Sequence, residues 1–331
     1  MKRPLAPRRG LREAAPAIAA AIVLAAPLAV GVGGCLTKPA APPGRAPPPS
    51  ALGTTRSSSA GASIDAVGSL DLARIPPEQR ADARRVLAEA FAPCGCARSV
   101  AGCLAEVGTC PCPKASTLLF DLVARSYAQG LRTVEVERML LEDVDEAWRK
   151  APLDPAITAA LEGLPSKGPA DARHVIVEFA DFRCGHCRYA FPVLRELVEA
   201  RSDVRLVFAY FPLGAGTDTP SVLAAEACAE AHAQGRFWEM AELVFENQHS
   251  VDRASLLAYG ERAGLDVAAL DAALDDHRHK KRVLDAKNIG TRLDVTSTPT
   301  LFVDGRPFGL PRTRENLDLR LDLESGRGTC D

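Results

Sequence analysis

The chain carries almost no net charge. Forty lysines and arginines against 42 acidic residues leave −2 at pH 7, so there is no basic field to draw in a nucleic acid. No segment repeats at a fixed period, which excludes a solenoid. The C-terminal half contains one Cys-x-x-Cys, with no second such pair and no His-x-x-x-His, so a closed zinc site has too few ligands there. The residue after the second cysteine of that pair is Arg188, not histidine, which excludes haem attachment. The run Asp275-Asp276-His277-Arg278-His279-Lys280-Lys281-Arg282 has metal-like histidine spacing, but its charge density reads as a solvated helix face.

Cysteine, in contrast, is plentiful. Ten cysteines in 331 residues suit an oxidising compartment or a set of redox or metal sites. An apolar fraction of 47% is enough for at least one sizeable core, and for two small domains. The N-terminus agrees with export. Lys2, Arg3, Arg8, Arg9 and Arg12 precede an apolar run from Ala17 to Val32, closed by Val32-Gly33-Gly34-Cys35. That is a signal-peptide layout over residues 1–34. The ending resembles a bacterial lipobox, which implies lipidation of Cys35 and a tether on the periplasmic side of the cell envelope. The alternatives are an uncleaved anchor helix, disfavoured by Pro27 and the closing glycines, or a secreted protein. Residues 35–72 are rich in Pro, Ala, Gly and Ser and too poor in large apolar residues to pack, so they read as an extended spacer.

Residues 75–150 read as a small helical, cysteine-rich module. Pro76-Pro77 opens a run with Val86, Leu87, Ala90 and Phe91 at helical spacing. A loop with Cys94, Cys96, Cys103, Cys110 and Cys112 follows. Leu118, Leu119, Leu122 and Val123 then share a helix face, Gly130 ends that helix, and Thr133 caps the next, which holds Val136, Leu140 and Leu141. Residues 151–172, with Pro152, Pro155, Pro165 and Pro169, read as a linker with one short helix. From 173 to 326 the pattern is α/β. His174–Ala180 and Val204–Phe211 are buried strands, and residues 218–290 are helices broken near Gly235, Ser250 and Gly264. Thr300–Val303 and Arg306–Phe308 form a hairpin on Asp304-Gly305, and a last helix covers 313–324.

The chemistry centres on Cys184-Gly185-His186-Cys187, where a strand passes into a helix. Thiolate, not thiol, attacks a disulfide, and the unpaired N–H groups and dipole of a helix start favour a thiolate. Cys184 is the expected attacker and Cys187 the resolving thiol. His186 adds a nearby positive or hydrogen-bonding group that favours the Cys184 thiolate, which makes the oxidised pair more oxidising.

Two segments carry a family resemblance. Val177-Glu178-Phe179-Ala180-Asp181-Phe182-Arg183-Cys184-Gly185-His186-Cys187 resembles the active-site segment of the DsbA-like thioredoxin-fold proteins. Thr298-Pro299-Thr300-Leu301-Phe302-Val303-Asp304-Gly305 resembles their second motif, and the similarity extends over about 166–325. The resemblance implies a thioredoxin-like fold with a helical insertion. It implies a cis Pro299 beside the dithiol, a Thr298 backbone that receives a substrate strand, and a buried Glu178 that assists proton transfer to Cys187. Gly185 departs from the family's usual residue, and Cys-Gly-His-Cys is the dithiol of protein disulfide isomerases, so oxidase, isomerase and reductase directions stay open. Protein thiols and disulfides are the implied substrates, with a membrane redox partner, no organic cofactor and no resident metal.

Seven cysteines remain once Cys35, Cys184 and Cys187 are set aside. Cys228, among alanines, reads as a small buried apolar residue, and Cys330 is unassigned. The other five fit structural disulfides, a second redox dithiol, or a soft-metal thiolate site for zinc or copper. The stretch from Cys110-Pro111-Cys112-Pro113 to Thr133-Val134-Glu135-Val136 faintly resembles the soluble domain of the cytochrome c biogenesis protein CcmH, with Cys-x-Cys in place of Cys-x-x-Cys. Two alternative functions follow, a dedicated reductase for apocytochrome c and a non-catalytic soft-metal chaperone.

Overall fold

A computed structural model describes residues 72–93, 98–106 and 108–325, all within one compact unit. The signal segment, Cys35, most of the spacer, Cys94, Cys96 and Cys330 lie outside the described residues.

The helical segment is built as its apolar spacing requires. α1 (Arg80–Glu89) buries Ala83, Val86 and Leu87. It ends at Ala90, so Phe91 falls beyond the helix, 56% exposed and bridged to Ser99. α2 (Val100–Ala105) is capped by the Ser99 side chain, which accepts from Gly102 N. α3 (Pro113–Ala128) starts on a proline whose missing N–H costs nothing at that position, and buries Leu119, Leu122 and Val123. Gly130, at φ +85°, takes the left-handed turn that stops the chain beyond it. α4 (Thr133–Arg138) begins one residue earlier than expected. Its cap is Arg132, whose N–H donates to Glu135 Oε2 at 2.8 Å, and Thr133 is the first helical residue. The helix widens to a π-helix over Met139–Glu146 and closes in α5 (Ala147–Arg149). Leu140, one turn after Val136, is buried, whereas Leu141 lies off that face and is 63% exposed.

The expected linker is structured. α6 (Pro155–Ala160) is capped by Asp154, and β1 (Ser166–Lys167) pairs antiparallel with β3 (Val204–Tyr210). β2 (His174–Ala180) is central, parallel to β3 and antiparallel to β4 (Thr300–Val303), which pairs with β5 (Arg306–Phe308). The sheet order is β1-β3-β2-β4-β5. Between β2 and β3 runs α7 (Gly185–Ala200). Between β3 and β4 lie α8 (Pro220–Ala233), α9 (Phe237–Glu246), α10 (Arg253–Ala263), α11 (Val267–Asp275) and α12 (Lys280–Arg292). α13 (Arg314–Ser325) closes the domain.

Because both faces of the sheet are covered, β2 and β3 are almost continuously buried. One core joins Phe179, Phe208 and Phe302 to the inserted helices. The other joins Ile176, Leu206, Leu301 and the inner faces of α7 and α13 to α1 and α3. The helical segment therefore shares a core with the α/β domain. The charged run before α12 is mostly exposed, as its charge density implies, but its two histidines reach back to α8. His277 Nδ1 lies 3.2 Å from Glu226 Oε2 and His279 Nε2 2.6 Å from Glu230 Oε2, with both carboxylates on α8 largely buried.

Candidate active site

β2 delivers the chain to the site and Asp181 turns it. The Asp181 side chain is 3% exposed and accepts from Arg183 N at 2.9 Å, Leu213 N at 2.8 Å and Ser221 Oγ at 3.1 Å. Its carbonyl accepts from Cys184 N at 3.0 Å. Gln248, buried between α9 and α10, donates to the carbonyls of Phe182 and Cys184 at 2.7 and 2.8 Å. The turn is thereby fixed from two sides, and Cys184 becomes the N-cap of α7. Cys184 is partly exposed and Cys187, one turn on, is fully buried.

The Thr298–Pro299 peptide is cis. As a thiol, Cys184 Sγ donates to the Thr298 carbonyl at 3.2 Å. As a thiolate it is stabilised foremost by the Cys187 thiol, then by the Thr298 hydroxyl and the backbone N–H groups of Cys187 and His186. Against partial burial these hold Cys184 at about 4. Burial pushes the Cys187 thiol far up, aided by the hydrogen bond it gives Cys184 and by Glu178. The two sulfurs thus have opposite tasks: one ionises readily, the other keeps its proton.

Glu178 lies wholly inside the sheet, between Phe208 on β3 and Leu301 on β4. Neither carboxyl oxygen has a hydrogen-bond partner. Burial first, and the Cys184 charge second, raise its pKa to about 8, with Arg312 opposing. The structure thus brings Cys184, Cys187, Glu178, Thr298 and Pro299 together. The His186 side chain points to solvent, and this residue reaches the sulfur through its backbone N–H. Asp181 lies within the first motif, where the sequence alone gives it no role. Gln248 and Arg312 come from distant loops, and nothing in the local sequence marks them.

Of the other cysteines, Cys228 is buried in α8, and its thiol is pushed well up by that burial. Cys103 and Cys110 form a disulfide, and Cys112 is also disulfide-bonded. The sulfurs of Cys103, Cys110 and Cys112 lie within 4.8 Å of one another, close enough for a soft metal, but in this oxidation state they are not thiolate ligands.

Residues 162–322 match the family model described as Thioredoxin. Among curated relatives, the Na(+)/H(+) antiporter NhaA 3 of Salinispora tropica is 39% identical over 153 residues, 46% of this chain and 23% of that protein. The chain thus spans less than a third of the length of the curated relatives it matches. Among solved structures, a thioredoxin-like oxidoreductase from Silicibacter pomeroyi is 24% identical, covering 49% of this chain and 91% of that one, with a TM-score of 0.44. BdbD from Bacillus subtilis, in its oxidised form, is 21% identical, covering 50% of this chain and 94% of that one, with a TM-score of 0.44.

Proposed function

Residues 162–322 match the thioredoxin family, and from that premise we propose that the chain is an exported, DsbA-like thiol–disulfide oxidoreductase acting on protein substrates through Cys184 and Cys187. The observation that carries this reading is the unequal dithiol. An accessible sulfur with a pKa of about 4 caps a helix above a buried, protonated partner. A disulfide sulfur bears no charge, so whatever stabilises the Cys184 thiolate stabilises the reduced pair and makes the oxidised pair a stronger oxidant.

The favoured direction is therefore oxidation of substrates. A substrate thiolate attacks the Cys184 sulfur of the Cys184–Cys187 disulfide, and Cys187 leaves and is protonated. The substrate's second thiolate then attacks its own sulfur in the mixed disulfide, and Cys184 leaves as the stable thiolate. Glu178, neutral at about pH 7 and below Cys187, is the proposed proton carrier for the buried sulfur. Reoxidation falls to a membrane redox partner.

The apolar run 17–32 and Cys35 support export and lipid anchoring at the periplasmic side. Among the described residues no helix is long and apolar enough to cross a membrane, and the antiporter activity in the relatives' names is not carried over to this chain. The test is oxidation of reduced RNase and reduction of insulin by the purified chain. Wild type should oxidise RNase faster than it reduces insulin, and Cys184→Ser should do neither. Equal activity in wild type and Cys184→Ser would refute the assignment.

A further inference from the structure

Arg312 lies in the loop between β5 and α13, outside both motifs. Its Nη2 donates to the Pro299 carbonyl at 2.8 Å. The carbonyl just before it, that of Thr298, accepts from Cys184 Sγ at 3.2 Å. Arg312 thus holds one carbonyl of a two-residue strip whose other carbonyl touches the attacking sulfur.

The loop itself is braced. Leu310 is buried in the core shared with α1 and α3. The Pro311 carbonyl accepts from Thr313 N at 2.8 Å and from Asn316 Nδ2 at 3.0 Å. At Gly309 a Cβ would fall 2.3 Å from Asp143 Oδ1 and 3.1 Å from Asp143 Cα, so the π-helical stretch is seated directly against the loop backbone. Arg312 also acts electrostatically on Asp143 and on Glu178. An exposed arginine ordinarily loses rotamer freedom for little return. Here its backbone is held, and its charged donor meets a carbonyl at the reacting centre.

We propose that Arg312 is a positioning residue for disulfide exchange: it fixes the Thr298–Pro299 strip so that an extended substrate segment can lie along it while the substrate's disulfide meets Cys184 Sγ. The inference rests on the exchange activity proposed above. It also gives the helical segment a part in that activity, because Asp143 buttresses the loop that carries Arg312.

The test uses the full chain in a Cys187→Ser background and compares two reactions of Cys184. In the first, its thiolate attacks a short extended peptide carrying one disulfide. A Cys184–peptide disulfide forms, the peptide's own S–S bond breaks, and the departing sulfur takes a proton from water. The second is alkylation by iodoacetamide, which needs no bound strand. Arg312→Gln should slow the first reaction by about tenfold, the scale of a lost charge-assisted hydrogen bond. Alkylation should change by less than about twofold, and Arg312→Lys, which keeps a charged donor, should recover most of the peptide rate. An unchanged peptide rate overturns the inference, as does an equal loss in both reactions. If the chain with Arg312 intact alkylates but forms no peptide disulfide, the exchange reading itself fails, and this inference with it.

Discussion

Glu178 has no hydrogen-bond partner for either oxygen and no solvent, so its charge is costly. The pH consequence has a definite sign. Its ordinary pKa of 4.5 becomes about 8 in the folded chain. Below 4.5 it is protonated in both states and subtracts nothing from stability. As pH rises towards 8 the unfolded chain gains a charge that the folded chain resists, and stability falls. Glu178→Gln should remove this loss, so the variant should gain on wild type in denaturant midpoint between pH 4 and pH 8. A constant difference across that range would show that the acid is not held neutral. The same variant should slow the release of mixed disulfides by Cys187 more than the initial attack by Cys184. For Cys184 the leading influence is the Cys187 thiol. Thiolate absorbance in the reduced chain should therefore show a midpoint near 4, and Cys187→Ala should raise it more than Thr298→Val does. Much at this scale was legible in the sequence. The dithiol, the acid six residues before it and the Thr-Pro pair lie in two short runs, each shaped by local backbone demands. Asp181 was visible without a role, and Gln248 and Arg312 were invisible, because they reach the site only through tertiary folding.

Among the elements, the long apolar strands and the amphipathic helices followed their periodicity, and β2 spans the His174–Ala180 run. The departures have local causes. β1 is only two residues, too short for any alternation to register. Leu141 lies off the helix face that Val136 and Leu140 share. The histidines before α12 find buried glutamates on α8, a pairing that charge density alone conceals. α12 also carries a packing constraint. At Gly290 an added Cβ would lie 2.7 Å from Phe211 Cδ2 and 2.9 Å from Phe179 Cδ1, in the aromatic cluster beside the central strand. Gly290→Ala ought to gain about 1 kcal/mol of helix propensity and lose more through overpacking, for a net destabilisation of up to about 2 kcal/mol. Thermal or denaturant unfolding of the variant measures it. A stabilised Gly290→Ala would mean that the rings yield freely.

At the scale of the whole molecule, the cysteine-rich helices share a core with the α/β domain, with α3 packed on α13. The prolines of 151–172 obscured this in the sequence, since a turn-rich stretch looks the same whether or not the flanking segments pack together. A fragment starting at residue 166 would lose α3, which packs on α13, and with it part of the shared core. Such a fragment should be less stable than the full chain and prone to aggregate; an equally stable soluble fragment would refute the shared core as a stabilising element. The Cys103–Cys110 disulfide closes a loop of sequence separation 7, for which chain entropy gives about 2 kcal/mol. Cys103→Ser/Cys110→Ser should lower stability by that order while leaving the reactivity of Cys184 unchanged.

If the fold stabilises the Cys184 thiolate, it thereby makes the Cys184–Cys187 disulfide an oxidant. Equilibration of the chain with glutathione buffers measures this directly. The potential should lie towards the oxidising end, about −120 mV, of the range that runs down to about −270 mV for thioredoxin. A value at or below that lower limit would contradict a stabilised Cys184 thiolate.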